Sequence, residues 1–377
     1  MFDALYIHIP YCKQKCLYCD FNSFADRDWD DKNYVAALKE EILLKAEGIG
    51  PHKIESIFFG GGTPTILPAA QIKDILGFCY KKFSIPSDCE ISIEANPDTV
   101  DYVYLRALRQ GGFNRLSFGC QSFNDNLLRK IGRKHSSLDN RQKFFAAKKA
   151  GFDNISLDLM FGLPEQNINL WQETLQSAAQ LKPTHFSLYN LTIEPNTPFQ
   201  QKFHQGELDL PMAEIQLAMY EMAMEYLPSK NYRHYEISNF ALEGYECRHN
   251  KGYWQNKDYL GIGPGAASYL NGFRSKNILS PHKYILNLLS KREIGCCENE
   301  MLNLKGKMGE TLILGLRLLD GISYEVFEKR FGKTLDAEFG DKIKKLQEEQ
   351  LLENDGKKLK LTHKGIIFSN EVFVELV

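Results

Sequence analysis

At 377 residues the chain exceeds what one hydrophobic core serves, so a unit of roughly 250 residues with a smaller companion is expected. A net charge of −2, with 43% apolar and 25% charged residues, is ordinary for a globular protein and gives no electrostatic reason to bind nucleic acid or an anionic membrane. No apolar run approaches bilayer length, no secretory signal precedes the first strand pattern, and an odd count of nine cysteines does not read as a disulfide framework, so a reducing cytoplasm is the expected setting.

In chain order, residues 4–9 read as a strand, followed by a loop holding Cys12, Cys16 and Cys19 in the spacing C-x3-C-x2-C. Val35, Leu38, Ile42, Leu43 and Ala46 recur at helical spacing. Strands are then expected at 56–59, 90–94, 115–118, 155–160 and 185–189, with helices at 71–83, 100–111, 139–151 and 170–181 between them. Six βα units in succession argue for an α/β fold with a parallel sheet. Gly60–Thr63, Glu94–Asn96, Gln121, Asp158 and Asn190 break the apolar runs at their C-terminal ends. Such residues converge on one site only if the strands ring it, which favours a partial barrel over an open doubly wound sheet. Residues 193–270 read as less regular, with a helix over 213–226. Toward the C-terminus, a helix at 342–351, a hairpin at 352–353 and 358–361 around Asp355 and Gly356, and a helix capped by Thr362 resemble a winged helix. The expected units are residues 1–270, a partial (β/α)6 barrel with its cluster loop and extension, and residues 300–377, a small α+β unit. The latter mixes acids with its lysines, which suits a lid or docking module better than a nucleic-acid reader.

Three thiolates in one short loop can hold three irons of a [4Fe–4S] cluster and leave the fourth open to a ligand. Zinc is the weaker alternative, because it usually shows paired C-x2-C units and needs a fourth ligand. Cys79, Cys89, Cys120, Cys296 and Cys297 read as buried or incidental thiols. The run Gly60-Gly61-Gly62-Thr63-Pro64 lets backbone N–H groups approach a ligand, but it lacks the lysine of a P-loop and the spacing of a dinucleotide fingerprint.

The cysteine triad, Tyr18 before its last member and the GGGTP run together resemble the radical S-adenosylmethionine (SAM) superfamily. That resemblance implies that the open iron chelates the amino and carboxylate groups of SAM, and that an electron from the cluster cleaves SAM to a 5′-deoxyadenosyl radical. YIHIPYC, FGGGTPT, SIEANPD, RLSFGCQSF, IGRKH, LDLMFGLP and LGIGPGAASY are similar to the oxygen-independent coproporphyrinogen III oxidase group and its relative, the HemW-type haem chaperones. By that likeness SAM contacts fall on Tyr6, Tyr18, Gly61, Gly62, Thr63, Glu94, Gln121, Arg133 and Asp158.

Two features divide the branches. The oxidases carry a further cysteine two residues after the last cluster cysteine, where this chain has Phe21, and they have a longer stretch before the barrel than the eleven residues ahead of Cys12. His249-Asn250-Lys251-Gly252-Tyr253-Trp254 matches the HNxxYW segment of the chaperone branch. There His249 is the candidate haem ligand, with Cys247, His234 and His282 as alternatives and an interior structural role as the competing reading. The resemblance therefore implies a protein that carries a [4Fe–4S] cluster and SAM, binds haem and passes it to apo-haemoproteins, membrane haemoproteins being met peripherally. It also implies a reductant for the cluster. The rival is an oxidase that decarboxylates propionate side chains, and a third is a radical SAM enzyme on an unrelated substrate; catalytic turnover is left open.

Overall fold

The computed structural model describes residues 2–25, 30–47 and 53–376. Six strands, β1 (Ala4–Ile9), β2 (Ser56–Gly61), β3 (Glu90–Ala95), β4 (Arg115–Gln121), β5 (Asn154–Phe161) and β6 (His185–Asn190), pair in parallel in chain order, as expected of successive βα units. The zone read as irregular extends this sheet at both edges. β7 (Arg233–Glu236) and β8 (Asn239–Ala241) form a hairpin whose second strand runs antiparallel to β6. At the other edge β9 (Tyr259–Ile262) lies parallel to β1, and β10 (Ala267–Leu270), β11 (Phe273–Asn277) and β12 (Cys296–Met301) follow antiparallel. These strands are short, three to six residues, and lack the longer apolar runs that mark the first six.

Period-two alternation sorts each parallel strand into two faces. Leu5, Ile7 and Ile9, Ile57 and Phe59, Ile91 and Ile93, Leu116 and Phe118, Ile155, Leu157 and Leu159, and Phe186 and Leu188 all join one apolar core beneath the helices. The intervening residues meet one another across the strands: Ser117 with Asp158, Ser156 with His185, and Gly60 with Tyr6 and Glu94. The sheet thus curls around a polar lining, which no close-packed apolar core would require. Its helices carry ordinary signals. Helix Ser137–Ala150 has a capping box of Ser136 and Asp139 and ends on Gly151 in the left-handed region. The segment expected as a single helix between β4 and β5 also holds a short one, Asp125–Lys130, capped by Asn124.

Residues 304–376 have their own core of Leu312, Leu316, Phe327, Phe339, Ile343 and Leu359. Helices Leu304–Arg317, Tyr324–Phe331 and Leu335–Glu348 precede the hairpin Leu352–Asn354 and Lys358–Leu361, which gains a third strand in Ile322–Ser323. Gly356 takes the positive φ of the turn, and the Thr362 hydroxyl accepts the Gly365 N–H at 2.9 Å. No helix among the described residues is long and apolar enough to cross a membrane.

Candidate functional site

The loop after β1 is held against the turn after β2. The Gly62 N–H donates to the Ile9 carbonyl at 2.8 Å and the Thr63 N–H to the Tyr11 carbonyl at 2.8 Å. The Gly61 N–H donates to Glu94 Oε2 at 3.1 Å. The backbone donors of the glycine run are therefore already committed, contrary to the expectation that they would face a ligand. What the run provides is space: a Cβ on Gly62 would stand 2.7 Å from the Tyr11 oxygen and 3.0 Å from Cys12 Sγ.

Cys12 is buried, and Cys16 and Cys19 are half-buried; none is in a disulfide. Burial raises the Cys12 and Cys19 thiols above their ordinary value, so neither is a ready thiolate without a metal. Among the described residues no three His, Cys, Asp or Glu side chains close on one ion. Three separated sulfurs suit a cluster, where each thiolate takes its own iron, better than a tetrahedral zinc.

A directed chain of hydrogen bonds braces this loop. Arg133 donates through Nη2 to the Tyr18 hydroxyl at 3.0 Å and through Nη1 to Asn96 Oδ1 at 2.7 Å. Asn96 Nδ2 donates to Thr63 Oγ1 at 3.0 Å, and Thr63 in turn donates to Cys12 Sγ at 3.5 Å. The three donors from Arg133 Nη1 through Asn96 and Thr63 run toward the sulfur, which favours its electron-rich form, while Arg133 Nη2 holds Tyr18. Tyr18, Thr63 and Arg133 thus come together through Asn96, one of the strand-end residues expected to converge on the site, whose amide partners only the fold reveals.

Glu94 and Asp158 face each other across the lining. Burial and then the Asp158 charge push the Glu94 carboxyl up to about 8, and burial raises Asp158 despite the hydroxyls around it. Ser117 donates to Asp158 Oδ1 at 2.9 Å. The buried Arg115 charge acts on both acids without a close ion pair among the described residues, so the pair still suits a cationic ligand such as a sulfonium or ammonium. Gln121 closes the rim. It follows a register shift at the end of β4 and takes φ 62°, a left-handed conformation unusual for glutamine. Its buried Oε1 has no hydrogen-bond partner.

Tyr6 lies in the middle of β1. Its hydroxyl meets His8 Nδ1 at 3.1 Å, and His8 Nε2 meets the Asn22 carbonyl at 2.9 Å. Burial lowers His8 to about 4, so the neutral ring accepts from Tyr6 and donates to the cluster loop. His8 is a second tether that sequence reading passes over as part of an apolar strand.

The HNxxYW segment sits at the opposite, N-terminal end of the barrel, in helix Arg248–Trp254. Glu90, at the start of β3, accepts the N–H groups of Arg248 at 3.0 Å and His249 at 3.1 Å, so a strand carboxylate anchors the helix. His249 points inward and is 1% exposed. Ser56 Oγ lies 2.9 Å from its Nδ1 and the Tyr253 hydroxyl 2.9 Å from its Nε2. Its ring stacks on Phe58 with centroids 5.1 Å apart. Both ring nitrogens have hydrogen-bond partners, the arrangement of an interior anchor. Cys247 is fully buried beside Glu90, and His234 lies against Phe240 with Nε2 3.2 Å from the Ile237 carbonyl. His282 is exposed, in helix Pro281–Leu286. Phe21, beside the cluster loop, is 64% exposed.

The Radical SAM superfamily model matches residues 6–178 and the HemN C-terminal domain model residues 302–368. The chain is 38% identical to the "Heme chaperone HemW" of Bacillus subtilis, covering 98% of each, and 35% identical to that of Lactococcus lactis, covering 98% of this chain and 96% of the relative. It is 33% identical to the mitochondrial radical S-adenosyl methionine domain-containing protein 1 of Bos taurus, over 99% of this chain and 87% of that one. The fold is similar to that of the Escherichia coli coproporphyrinogen III oxidase HemN, with a TM-score of 0.87 and 25% identity, covering 100% of this chain and 90% of that one. A [4Fe–4S] cluster and SAM are the cofactors the superfamily implies. With full-length relatives on one side and a strand-end site of this construction on the other, the chain belongs to the radical SAM superfamily, in its HemW group.

Proposed function

We propose that this protein binds haem and passes it to apo-haemoproteins, with a [4Fe–4S] cluster and SAM at the strand ends of the barrel. The observation that carries the reading is similarity to haem chaperones along nearly the whole chain. Phe21 agrees with it, since an exposed phenylalanine stands where the oxidases have a further cysteine. Cys12, Cys16 and Cys19 each hold one iron. The bound cluster supplies an open iron for the amino and carboxylate groups of SAM and a source of one electron. Glu94 and Asp158 face the cationic part of SAM, and Gln121 offers its unpartnered carbonyl oxygen. Arg133 and Thr63 fix the loop through Asn96, Tyr6 supports it through His8, and Gly61 and Gly62 leave the room. The barrel with its sheet extension, which runs past the expected boundary at residue 270 to Met301, carries this chemistry, and residues 304–376 form a docking unit. A cellular reductant serves the cluster, free thiols suit a reducing cytoplasm, and membrane haemoproteins are met peripherally.

The test is anaerobic reconstitution of the cluster, followed by haem titration, transfer to an apo-haemoprotein, and a separate assay of coproporphyrinogen III with SAM and a reductant. Stoichiometric haem uptake and transfer without decarboxylation is the expected result. Conversion of coproporphyrinogen III at a multiple-turnover rate would overturn it.

A further inference from the structure

The helix that carries HNxxYW has two faces, and only one is spent inside the barrel. His249 and Tyr253 point inward, while Lys251 and Trp254 line a cavity of about 510 Å³ between this helix and the C-terminal unit. The opposite wall sets Leu318, Ile322, Val326 and Phe327 beside Asp320 and Ser323, and Glu246 adds a second carboxylate to the lining. Glu90 contacts the helix and Glu94 faces the cluster end, so the cavity stands at least four strand residues, roughly 13 Å, from the site above.

Five basic side chains line the cavity, and three are already engaged. Arg233 pairs with Asp320 at 2.6 Å, Lys257 with Glu55 at 2.9 Å, and Arg330 donates to the Asn256 carbonyl at 2.8 Å. Lys251 and Lys358 have no hydrogen bond or ion pair from their ammonium groups among the described residues. Against the upward pull of burial, the Arg233 bond and charge, and after them the charges of Lys358 and Lys251, hold the Asp320 carboxyl below its ordinary range. Trp254 adds a buried Nε1–H with no partner, and the Arg317 guanidinium lies 4.3 Å from its ring centroid.

A cavity with Trp254 in one wall, aliphatic and phenylalanine side chains in the other, and two lysines without an ion pair among the described residues fits an aromatic dianion. Its volume of about 510 Å³ is on the scale of a large planar cofactor. No histidine, cysteine or methionine lines it, and the Tyr235 hydroxyl is engaged by His185 Nε2 at 2.8 Å. The ring faces and the carboxylates are recognised here, and the iron is not. We infer that this cavity is the porphyrin site: Trp254 and the apolar side chains opposite it take the macrocycle, and Lys251 and Lys358 pair with its two propionates. The inference deepens the haem-carrier reading and rests on it. It also gives the HNxxYW segment a role in haem binding through Lys251 and Trp254, with His249 anchoring the helix beneath them. A site without an iron ligand suits a carrier that must let its cargo go.

The experiment titrates the cluster-loaded full chain with haem and with metal-free protoporphyrin IX, following absorbance and tryptophan quenching. Wild type should bind both within about threefold of each other. Lys251→Glu with Lys358→Glu should weaken both at least tenfold at unchanged melting temperature, and Val326→Trp, which fills the cavity from an exposed position, should do the same. Affinity unmoved by these variants, or binding that requires the iron, would overturn the location while leaving haem carriage intact. Failure of wild type to bind either porphyrin would instead overturn the carrier reading itself.

Discussion

Arg133 reaches Asn96 Oδ1 at 2.7 Å, and through that one amide the guanidinium is coupled to the sulfur of Cys12. Asn96→Ala removes the middle of the chain and leaves buried donors on Arg133 without their acceptor. The expected cost is about 1–3 kcal/mol of stability. More tellingly, iron retained after desalting should fall at least twofold, while Asn96→Asp, which keeps the acceptor for Arg133, should lose less. Equal iron content in Asn96→Ala and wild type would show that the loop needs no such brace.

The acids of the barrel set a pH dependence of opposite sign to the usual carboxylate case. Glu94 holds its proton up to about 8 in the folded chain but releases it near its ordinary 4.5 when unfolded. Between those values the folded state binds more protons, so stability of the cluster-free protein should fall as pH rises from about 4.5 to about 8. Glu236, raised by burial to about 7, adds to the same slope. Glu94→Gln should flatten but not abolish it in urea melts across that range. A slope unchanged in Glu94→Gln would place the buried proton elsewhere.

His249 acts on the acid side. Burial, and then the nearby Arg115 charge, lower it from 6.5 to about 3. The unfolded chain therefore binds the proton first, and the stability this ring contributes is present above about 6.5 and lost as pH falls toward about 3. His249→Ala empties a site packed by Phe58 and Tyr253 and orphans the Ser56 hydroxyl, for an expected loss of about 2–4 kcal/mol. The absorbance maximum of bound haem should stay where it is in wild type. A displaced maximum would mean that the imidazole leaves its anchors and ligates the iron.

Much of this was legible before any coordinates. The six parallel strands announce themselves as apolar runs stopped by glycine or a polar residue, and the C-terminal hairpin shows through its Asp355–Gly356 turn and the Thr362 cap. The cluster loop is a matter of spacing alone. What stayed hidden depends on direction. A run such as Ile57, Phe58 and Phe59 does not say which residue faces the lining, and only the contact of Phe58 with His249 settles it. Asn96 and His8 act through partners distant in sequence, Thr63 and Asn22, that no local pattern pairs with them. HNxxYW is visible as a motif, yet its histidine points one way and its lysine and tryptophan the other, which only a helix set across the barrel end reveals.

Gly62 and Gly77 offer a matched pair of glycine-to-alanine changes. At Gly62 the new Cβ would crowd the Tyr11 carbonyl at 2.7 Å and Cys12 Sγ at 3.0 Å, both fixed by the hydrogen bonds that hold the loop to the turn. The loop must shift to admit it, and Cys12 shifts with it. At Gly77, in helix Ala69–Lys82, nothing lies within 4 Å of the added atom, so the substitution should stabilise the helix by about 0.5–1 kcal/mol. Gly62→Ala should accordingly lose most of its cluster absorbance after reconstitution while its far-ultraviolet dichroism stays close to wild type. Gly77→Ala should keep the full cluster and melt slightly higher. Full cluster loading in Gly62→Ala would mean that the loop has slack, and that the closeness of Gly62 to Cys12 is not what sets the position of the first sulfur.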